Sequence, residues 1–167
     1  MINKKRKGIL LAGGLGTRLN TLTSVFNKQL LPIYNKPMIY YPLSTLMLSG
    51  IKDILIITSP DQILFFKKLL GDGSQWGISL KYKIQNKPEG IAQAILIAED
   101  FLNGSPCALI LGDNLFYGEN LSINLKRASE DIYNATLFAY PVKDPKRFGI
   151  VTFDENNKVL SIEEKPK

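Results

Sequence analysis

Apolar runs of strand length alternate with segments of helical periodicity along most of the chain. The apolar runs predict strands at residues 7–12, 53–58, 80–84 and 107–111. Apolar residues at the spacing of one helix face predict helices at residues 37–49, 62–70, 91–102 and 121–133. Pro37 at the first turn and Gly50 just past the end mark the limits of the first helix. The alternation predicts the α/β class, with a mostly parallel sheet covered by helices on both faces.

The last part of the chain has a different pattern. Strands are predicted at residues 135–140, 149–153 and 159–163, and the turn at 154–157 joins the last two as a hairpin. The chain then stops directly after a strand, which indicates a cut inside a larger fold. The length of 167 residues predicts one domain spanning residues 1–167.

Two residue types that carry much of enzyme chemistry are scarce. The chain has no histidine, which excludes a Ser-His-Asp triad, a histidine base and every metal site that needs histidine. Cys107 is the only cysteine, so an internal disulfide and a cysteine zinc site are excluded as well. Carboxylates, lysine, arginine and backbone amides remain, and they suit phosphate chemistry with a hard cation. We expect a cytoplasmic protein without a membrane helix.

The net charge of +6 comes mostly from one end of the chain. Four of the 21 basic residues lie within the first seven positions, at Lys4, Lys5, Arg6 and Lys7. The other 17 nearly balance the 15 acidic residues. This distribution predicts a solvated basic terminus and no nucleic-acid partner, since nucleic-acid binders spread their charge as a stripe with interleaved aromatics.

A glycine-rich segment, LAGGLGTR, follows the first predicted strand at residues 11–18. Its glycines let backbone N–H groups approach an anion closely. Thr17 adds a hydroxyl and Arg18 a bidentate cation. The spacing matches neither a P-loop nor the dinucleotide fingerprint. An ordinary turn between strand and helix is the alternative, but the Thr-Arg pair favours phosphate binding.

Three further polar residues are candidates for the same site. Lys28 lies ten residues after Arg18 and could return to the same phosphates, although a lone lysine before an apolar run is usually a surface residue. Asp113 follows a buried strand and could hold Mg²⁺ against phosphate oxygens, or simply close an Asx turn. Gln85 could pair with a base edge, although its spacing alone favours a polar loop.

Together these segments resemble the sugar-1-phosphate nucleotidyltransferases. The resemblance rests on GGLGTR, KQLLP, GDN and EEKP, which begin at residues 13, 28, 112 and 163 and keep the family's order. Three longer stretches, at residues 28–60, 69–78 and 111–118, resemble the bacterial glucose-1-phosphate thymidylyltransferases in particular. The resemblance implies a Rossmann-like nucleotidyltransferase fold that is C-terminally incomplete here.

The resemblance also implies roles for individual residues. The nucleotide would be bound by Leu11, Ala12, Gly13, Gly14, Gly16, Thr17, Gln29, Gln85 and Gly90. The catalytic cations would be Arg18 and Lys28, and the ligand of Mg²⁺ would be Asp113. The sugar and its phosphate would be bound by Asn114, Gly149, Glu164 and Lys165.

The implied reaction joins dTTP and glucose 1-phosphate to give dTDP-glucose and pyrophosphate, the first step towards dTDP-rhamnose. Homo-oligomers are expected for full-length family members. Thr21 replaces a usual proline and Leu15 a usual small residue. The family continues beyond EEKP with a second metal-binding aspartate, so we expect weak or no turnover by these 167 residues. The alternatives are a naturally short nucleotide-binding or regulatory module without turnover, and a uridylyltransferase that uses UTP.

Overall fold

The structure is a computed structural model, and it describes residues 4–13, 27–131, 134–164 and 166. The chain divides into two compact units, Met1–Tyr133 and Asn134–Lys167. That residues 1–167 act as one domain stays a prediction. Across the described ranges, no helix is both long and apolar enough to cross a membrane.

The elements of the first unit follow the predicted alternation. Its strands are β1 (Lys7–Ala12), β2 (Pro32–Ile33), β3 (Lys36–Pro37), β4 (Asp53–Thr58), β5 (Ser79–Ile84) and β6 (Cys107–Leu111). Its helices are α1 (Tyr40–Leu48), α2 (Ile63–Leu70), α3 (Ile91–Ile97), α4 (Glu99–Leu102) and α5 (Leu121–Glu130). Short 3₁₀ turns lie at Lys28–Leu30 and Ser74–Trp76.

The central sheet of the described residues is parallel, as predicted. Strand β1 pairs with β4 on one side and β6 on the other, and β4 pairs with β5. The order is therefore β5-β4-β1-β6. The chain moves outward from β1 through β4 to β5 and then crosses back to β6. The carboxyl ends of β1 and β6 thus form a topological switch point, where open α/β sheets bind their ligands.

Helices cover both faces of this sheet. Leu10, Ile54 and Ile56 are buried on one face together with apolar residues of α1 and α2. Their neighbours in sequence, among them Ile9 and Leu55, are buried on the other face against Ala94, Ala98 and Leu102. Successive side chains of a strand point to opposite faces, so a strand that is covered on both sides needs a continuous apolar run. This confirms the predicted three layers.

Helix limits differ from the predictions in three places. The first helix begins at Tyr40 and not at Pro37, because Pro37 pairs with Pro32 in a small antiparallel hairpin whose turn holds Tyr34 at a φ of 60°. The predicted helix at 91–102 is interrupted at Ala98, which separates α3 from α4. Helix α5 ends at Glu130, and residues 132–133 lie outside the described part of the chain.

The second unit contains a hairpin of β7 (Gly149–Phe153) and β8 (Val159–Glu164). The strands are antiparallel, as predicted, and Asp154 Oδ1 closes their turn by accepting from the backbone N–H groups of Asn156 and Lys158. The predicted strand at 135–140 is wrong, since this segment is exposed and has no strand structure. Its apolar alternation suits a strand, but a strand also needs a neighbour that accepts and donates the ladder hydrogen bonds.

The basic N-terminus is not simply solvated, which corrects the sequence interpretation. Arg6 donates to the backbone oxygens of Ser129, Cys107 and Asp131 at 3.2, 2.8 and 2.6 Å. Lys7 Nζ donates to the oxygen of Phe101 at 2.6 Å, at the end of α4. Cations at the ends of helices bind carbonyl groups that the helix leaves unpaired. These residues therefore tie β1 to the ends of α4 and α5.

Replacing Arg6 by alanine is expected to lower the free energy of unfolding by about 1–2 kcal/mol, because the carbonyls at the end of α5 lose a charged donor. Thermal unfolding followed by circular dichroism measures the effect. Lys5→Ala removes the same charge from an exposed neighbour and is the control. Equal melting temperatures for the two variants would contradict this assignment.

Candidate active site

A pocket of about 280 Å³ opens at the carboxyl ends of β1, β5 and β6. The predicted site residues that line it are Leu11, Gly13, Gln29, Gln85, Gly90 and Asp113. Residues that were far apart in sequence are thus brought to one place, at the switch point of the sheet. Its chemistry is mixed, with apolar walls, two side-chain amides and one carboxylate, which is typical of small-molecule sites.

The end of β1 is held in place by two buried side chains. Asn27 Nδ2 and Thr58 Oγ1 both donate to the oxygen of Ala12, at 3.2 and 3.1 Å. Ala12 itself is fully buried and does not line the pocket. Because its backbone oxygen is anchored, Ala12 fixes the position of the next residue, Gly13, which does line the pocket.

Gln85 lies directly after β5 and is only 4% exposed. Its backbone N–H donates to the oxygen of Thr58 at 2.8 Å, and its side-chain Nε2 donates to Gln93 Oε1 at 2.5 Å. A Cβ atom on Gly13 would lie 2.7 Å from Gln85 Oε1. Because Gly13 has no Cβ atom, there is room for the amide oxygen of Gln85 beside the pocket.

Gln29 is fixed by its backbone and packed by a second glycine. Its backbone N–H donates to Asn27 Oδ1 at 2.9 Å, and its backbone oxygen accepts from the N–H of Ile39 at 2.9 Å. A Cβ on Gly112 would lie 2.9 Å from Gln29 Cγ, so only glycine fits there without a shift. Gln29 Oε1 is buried and has no hydrogen-bond partner within the described part of the chain. A donor on a ligand could supply the missing bond.

Lys28 and Asp113 form an ion pair beside the pocket. Lys28 Nζ lies 2.8 Å from Asp113 Oδ2, and about a third of each side chain is exposed, 30% and 35%. Lys28 is therefore directed at the predicted metal ligand and is not an ordinary surface lysine. Asp113 lies in the turn after β6, which the N–H of Asn114 closes by donating to the oxygen of Leu111 at 3.1 Å.

Asp113 suits a magnesium ion in its chemistry. Mg²⁺ binds through one or two carboxylates, completed by water and substrate phosphates. The carboxylate already lies opposite a cation, Lys28, at a partly exposed position. No group of three histidine, cysteine, aspartate or glutamate residues could share a metal ion in the described ranges.

Five predicted site residues, Gly14, Gly16, Thr17, Arg18 and Lys165, lie outside the described residues, as do Leu15 and Thr21. In the second unit, Gly149 and Glu164 are opposite each other in the β7–β8 register. A Cβ on Gly149 would lie 3.2 Å from Glu164 Oε2. The sugar-phosphate roles of these two residues and of Asn114 stay predictions.

Sequence reasoning missed some residues of the site. Pro88, Ile91 and Leu111 also line the pocket. Gln93 holds the amide of Gln85, and Glu89 accepts from Gln93 Nε2 at 2.7 Å. The spacing of four between Glu89 and Gln93 across a helix start could have indicated their contact. Their connection to Gln85 depends on how the loop at 86–90 turns.

Comparisons with known proteins point to one family. The sequence model of the family described as nucleotidyl transferase matches residues 7–167. The chain is 58% identical over 161 residues to a glucose-1-phosphate thymidylyltransferase of Neisseria gonorrhoeae, which is 96% of this chain and 56% of that protein. The chain is 55% identical over 163 residues to the protein of the same name in Xanthomonas campestris, and the match covers 98% of this chain and 55% of that protein. The chain thus spans little more than half the length of these relatives.

Solved structures have the same fold. A structure from Bacillus anthracis, named for glucose-1-phosphate thymidylyltransferase and holding sucrose, superposes with a TM-score of 0.82 at 37% identity, over 96% of this chain and 65% of that one. A UDP-glucose pyrophosphorylase complexed with UDP-glucose superposes with a TM-score of 0.77 at 21% identity, over 97% of this chain and 69% of that one. This similarity supports the fold alone. With its parallel sheet, its pocket at the switch point and a family match from residue 7 to the last residue, this chain belongs to the nucleotidyl transferase family.

Proposed function

We propose that this chain carries the nucleotide site of a magnesium-dependent thymidylyl transfer from dTTP to glucose 1-phosphate, which yields dTDP-glucose and pyrophosphate. The relatives from Neisseria and Xanthomonas are named for this activity. The observation that carries the proposal is the Lys28–Asp113 ion pair, 2.8 Å long, beside a pocket that is lined by buried amide side chains. One end of the site suits phosphates and the other suits a base.

At the base end, Gln85 and Gln29 offer amide groups in a largely dry environment. Both side chains line the pocket, and both are 4% exposed. A buried acceptor such as Gln29 Oε1 costs about 1–3 kcal/mol while it is unpaired. A nucleoside hydroxyl or ring N–H that donates to it would recover that free energy.

At the phosphate end, Lys28 and Asp113 exchange partners when the nucleotide binds. Lys28 Nζ turns from the carboxylate to phosphate oxygens, and Asp113 becomes free to hold Mg²⁺. When bound, Mg²⁺ neutralises charge on the triphosphate. The ion pair keeps both side chains in position before the ligand arrives, which lowers the entropic cost of binding.

The reaction needs no histidine base, which suits a chain without histidine. A phosphate oxygen of glucose 1-phosphate attacks the α-phosphorus of dTTP, and the bond from that phosphorus to the pyrophosphate oxygen breaks. The attacking oxygen is already ionised at neutral pH. The barrier is the repulsion of two polyanions, so fixed cations and correct positioning supply most of the rate.

Calorimetry with Mg²⁺ tests the nucleotide site directly. The chain is expected to bind dTTP more tightly than ATP, because the pocket is small and the proposed base readers Gln85 and Gln29 suit a pyrimidine edge. Equal affinity for ATP would remove the base-reading role of Gln85. Absence of dTTP binding would contradict the proposed function as a whole.

Pyrophosphate release tests the transfer. Release from dTTP is expected to depend on glucose 1-phosphate and to disappear in Asp113→Ala. The criterion is this dependence and not the absolute rate. It is measured beside a version that carries the C-terminal segment of a relative, since weak or no turnover is predicted for these 167 residues. Faster release from UTP than from dTTP would favour the uridylyltransferase alternative. Binding of dTTP without any release, even in a version that carries the C-terminal segment of a relative, would favour a binding module. A cytoplasmic location stays a prediction, as does the homo-oligomer expected for full-length family members.

A further inference from the structure

Three polar side chains form a continuous hydrogen-bonded series, here called the amide relay, from the pocket to the surface. Gln85 Nε2 donates to Gln93 Oε1 at 2.5 Å, and Gln93 Nε2 donates to Glu89 Oε2 at 2.7 Å. The backbone N–H of Glu89 also donates to Gln93 Oε1, at 3.3 Å. The relay therefore consists of Gln85, Gln93 and Glu89, and Gln85 alone of the three lines the pocket.

The carboxylate of Glu89 sets the direction of the whole series. An ionised carboxylate can only accept hydrogen bonds, so the end of the Gln93 amide that faces it must be the nitrogen. The oxygen of Gln93 then faces Gln85 and can only accept. Gln85 must turn its own nitrogen towards Gln93, which leaves its oxygen beside Gly13, where a Cβ would be 2.7 Å away.

The opposite orientation is disfavoured at each contact. A half-turn of the Gln93 amide would place its oxygen against the Glu89 carboxylate and its nitrogen against the N–H of Glu89 and the nitrogen of Gln85. Gln85 is 4% exposed, so water cannot readily replace a lost partner there. The relay thus holds an acceptor, and not a donor, at the pocket.

We propose that Glu89 and Gln93 are positioning residues that hold the Gln85 amide oxygen towards the pocket, so that the site selects a pyrimidine whose facing edge carries an N–H group. Thymine and uracil have an imide N–H between two carbonyls, whereas cytosine has an unprotonated ring nitrogen at that position. This inference rests on the proposed function. It assigns the preference for dTTP over dCTP to two residues that do not line the pocket.

The test is the ratio of dTTP affinity to dCTP affinity, measured on the full chain by calorimetry with Mg²⁺. In Gln93→Met the partner of the Gln85 amide is lost, and Gln85 can present either end to the base. The ratio is expected to fall about tenfold, the effect of one mismatched buried hydrogen bond. The double variant Glu89→Gln/Gln93→Glu is the matched control, because the carboxylate at position 93 still accepts from Gln85 Nε2 and the amide at position 89 donates to it. Its ratio is expected to stay near that of the parent chain.

Glu89→Lys tests the direction of the relay at an exposed position, where folding is not at stake. The ammonium group donates to Gln93 Oε1, which turns the nitrogen of Gln93 towards Gln85 and the nitrogen of Gln85 towards the pocket. The affinity ratio is expected to shift towards dCTP.

The possible outcomes separate the relay from the proposed function. An unchanged ratio in Gln93→Met and Glu89→Lys would overturn the relay and leave dTTP binding in place. Equal losses for both nucleotides would also overturn it, because a merely structural contact weakens both alike. If the parent chain binds dTTP and dCTP equally, the relay and the base-reading role of Gln85 both fall.

Discussion

Replacing Gly13 by alanine is expected to weaken dTTP binding by about 100-fold, with little loss of stability. The new Cβ would lie 2.7 Å from Gln85 Oε1, so the amide must leave its position. The displaced atom is the far end of a flexible side chain, so the fold can adjust. The base then loses its partner, and the methyl group occupies part of the space beside β1. Calorimetry and thermal unfolding of the same variant measure the two effects separately.

Gly112→Ala is the matched control for this prediction, since Gly112 follows β6 as Gly13 follows β1. Its Cβ would lie 2.9 Å from Gln29 Cγ and 3.2 Å from Ala12 Cβ, inside the packed core. Overpacking of this kind costs about 1–3 kcal/mol, so this variant is expected to lose thermal stability. A stability loss in Gly13→Ala as large as that in Gly112→Ala would show that Gly13 serves packing and not binding.

Replacing Lys28 by alanine is expected to weaken dTTP binding with Mg²⁺ by about 10- to 100-fold and to leave thymidine binding unchanged. Charge-assisted bonds to phosphate are the strong ones, but Lys28 is 30% exposed, so the effect lies below that of a fully buried cation. The affinity for Mg²⁺ alone is expected to rise, because the ammonium no longer competes for Asp113. Calorimetry with dTTP, thymidine and Mg²⁺ gives the three values.

Lys52→Ala is the control for Lys28, because it removes the same charge from an exposed residue just before β4, at the amino end of the sheet. Its dTTP affinity is expected to match that of the parent chain. Equal losses of dTTP and thymidine binding in Lys28→Ala would indicate a distorted pocket, and unchanged dTTP binding would remove Lys28 from the phosphate site.

Strands β1, β4 and β6 have the limits that the sequence predicts, because a strand covered on both faces leaves a continuous apolar run that local reading detects. The first residues of helices were harder to predict from the sequence than the limits of these strands. Pro37 has the same local preferences at the first turn of a helix and in an edge strand, and its pairing with Pro32 decides between them. The segment at 135–140 has the composition of a strand, but the structure has no strand there.

The candidate site likewise has one part that the sequence predicts and another that only the structure decides. Its residue types follow from the sequence, since glycines, a glutamine and an aspartate that come directly after strands suit phosphate and base chemistry wherever they meet. That Gln85 is buried is known only from the structure. That Lys28 reaches Asp113, 85 positions later, and that Glu89 and Gln93 orient Gln85, depends on the crossover that places β6 beside β1 and on the turn of the loop at 86–90. Local sequence determines which chemical groups are available and which segments are buried. Only the tertiary structure decides which groups meet, because hydrogen bonds and ion pairs depend on distances of about 3 Å between segments far apart in the chain.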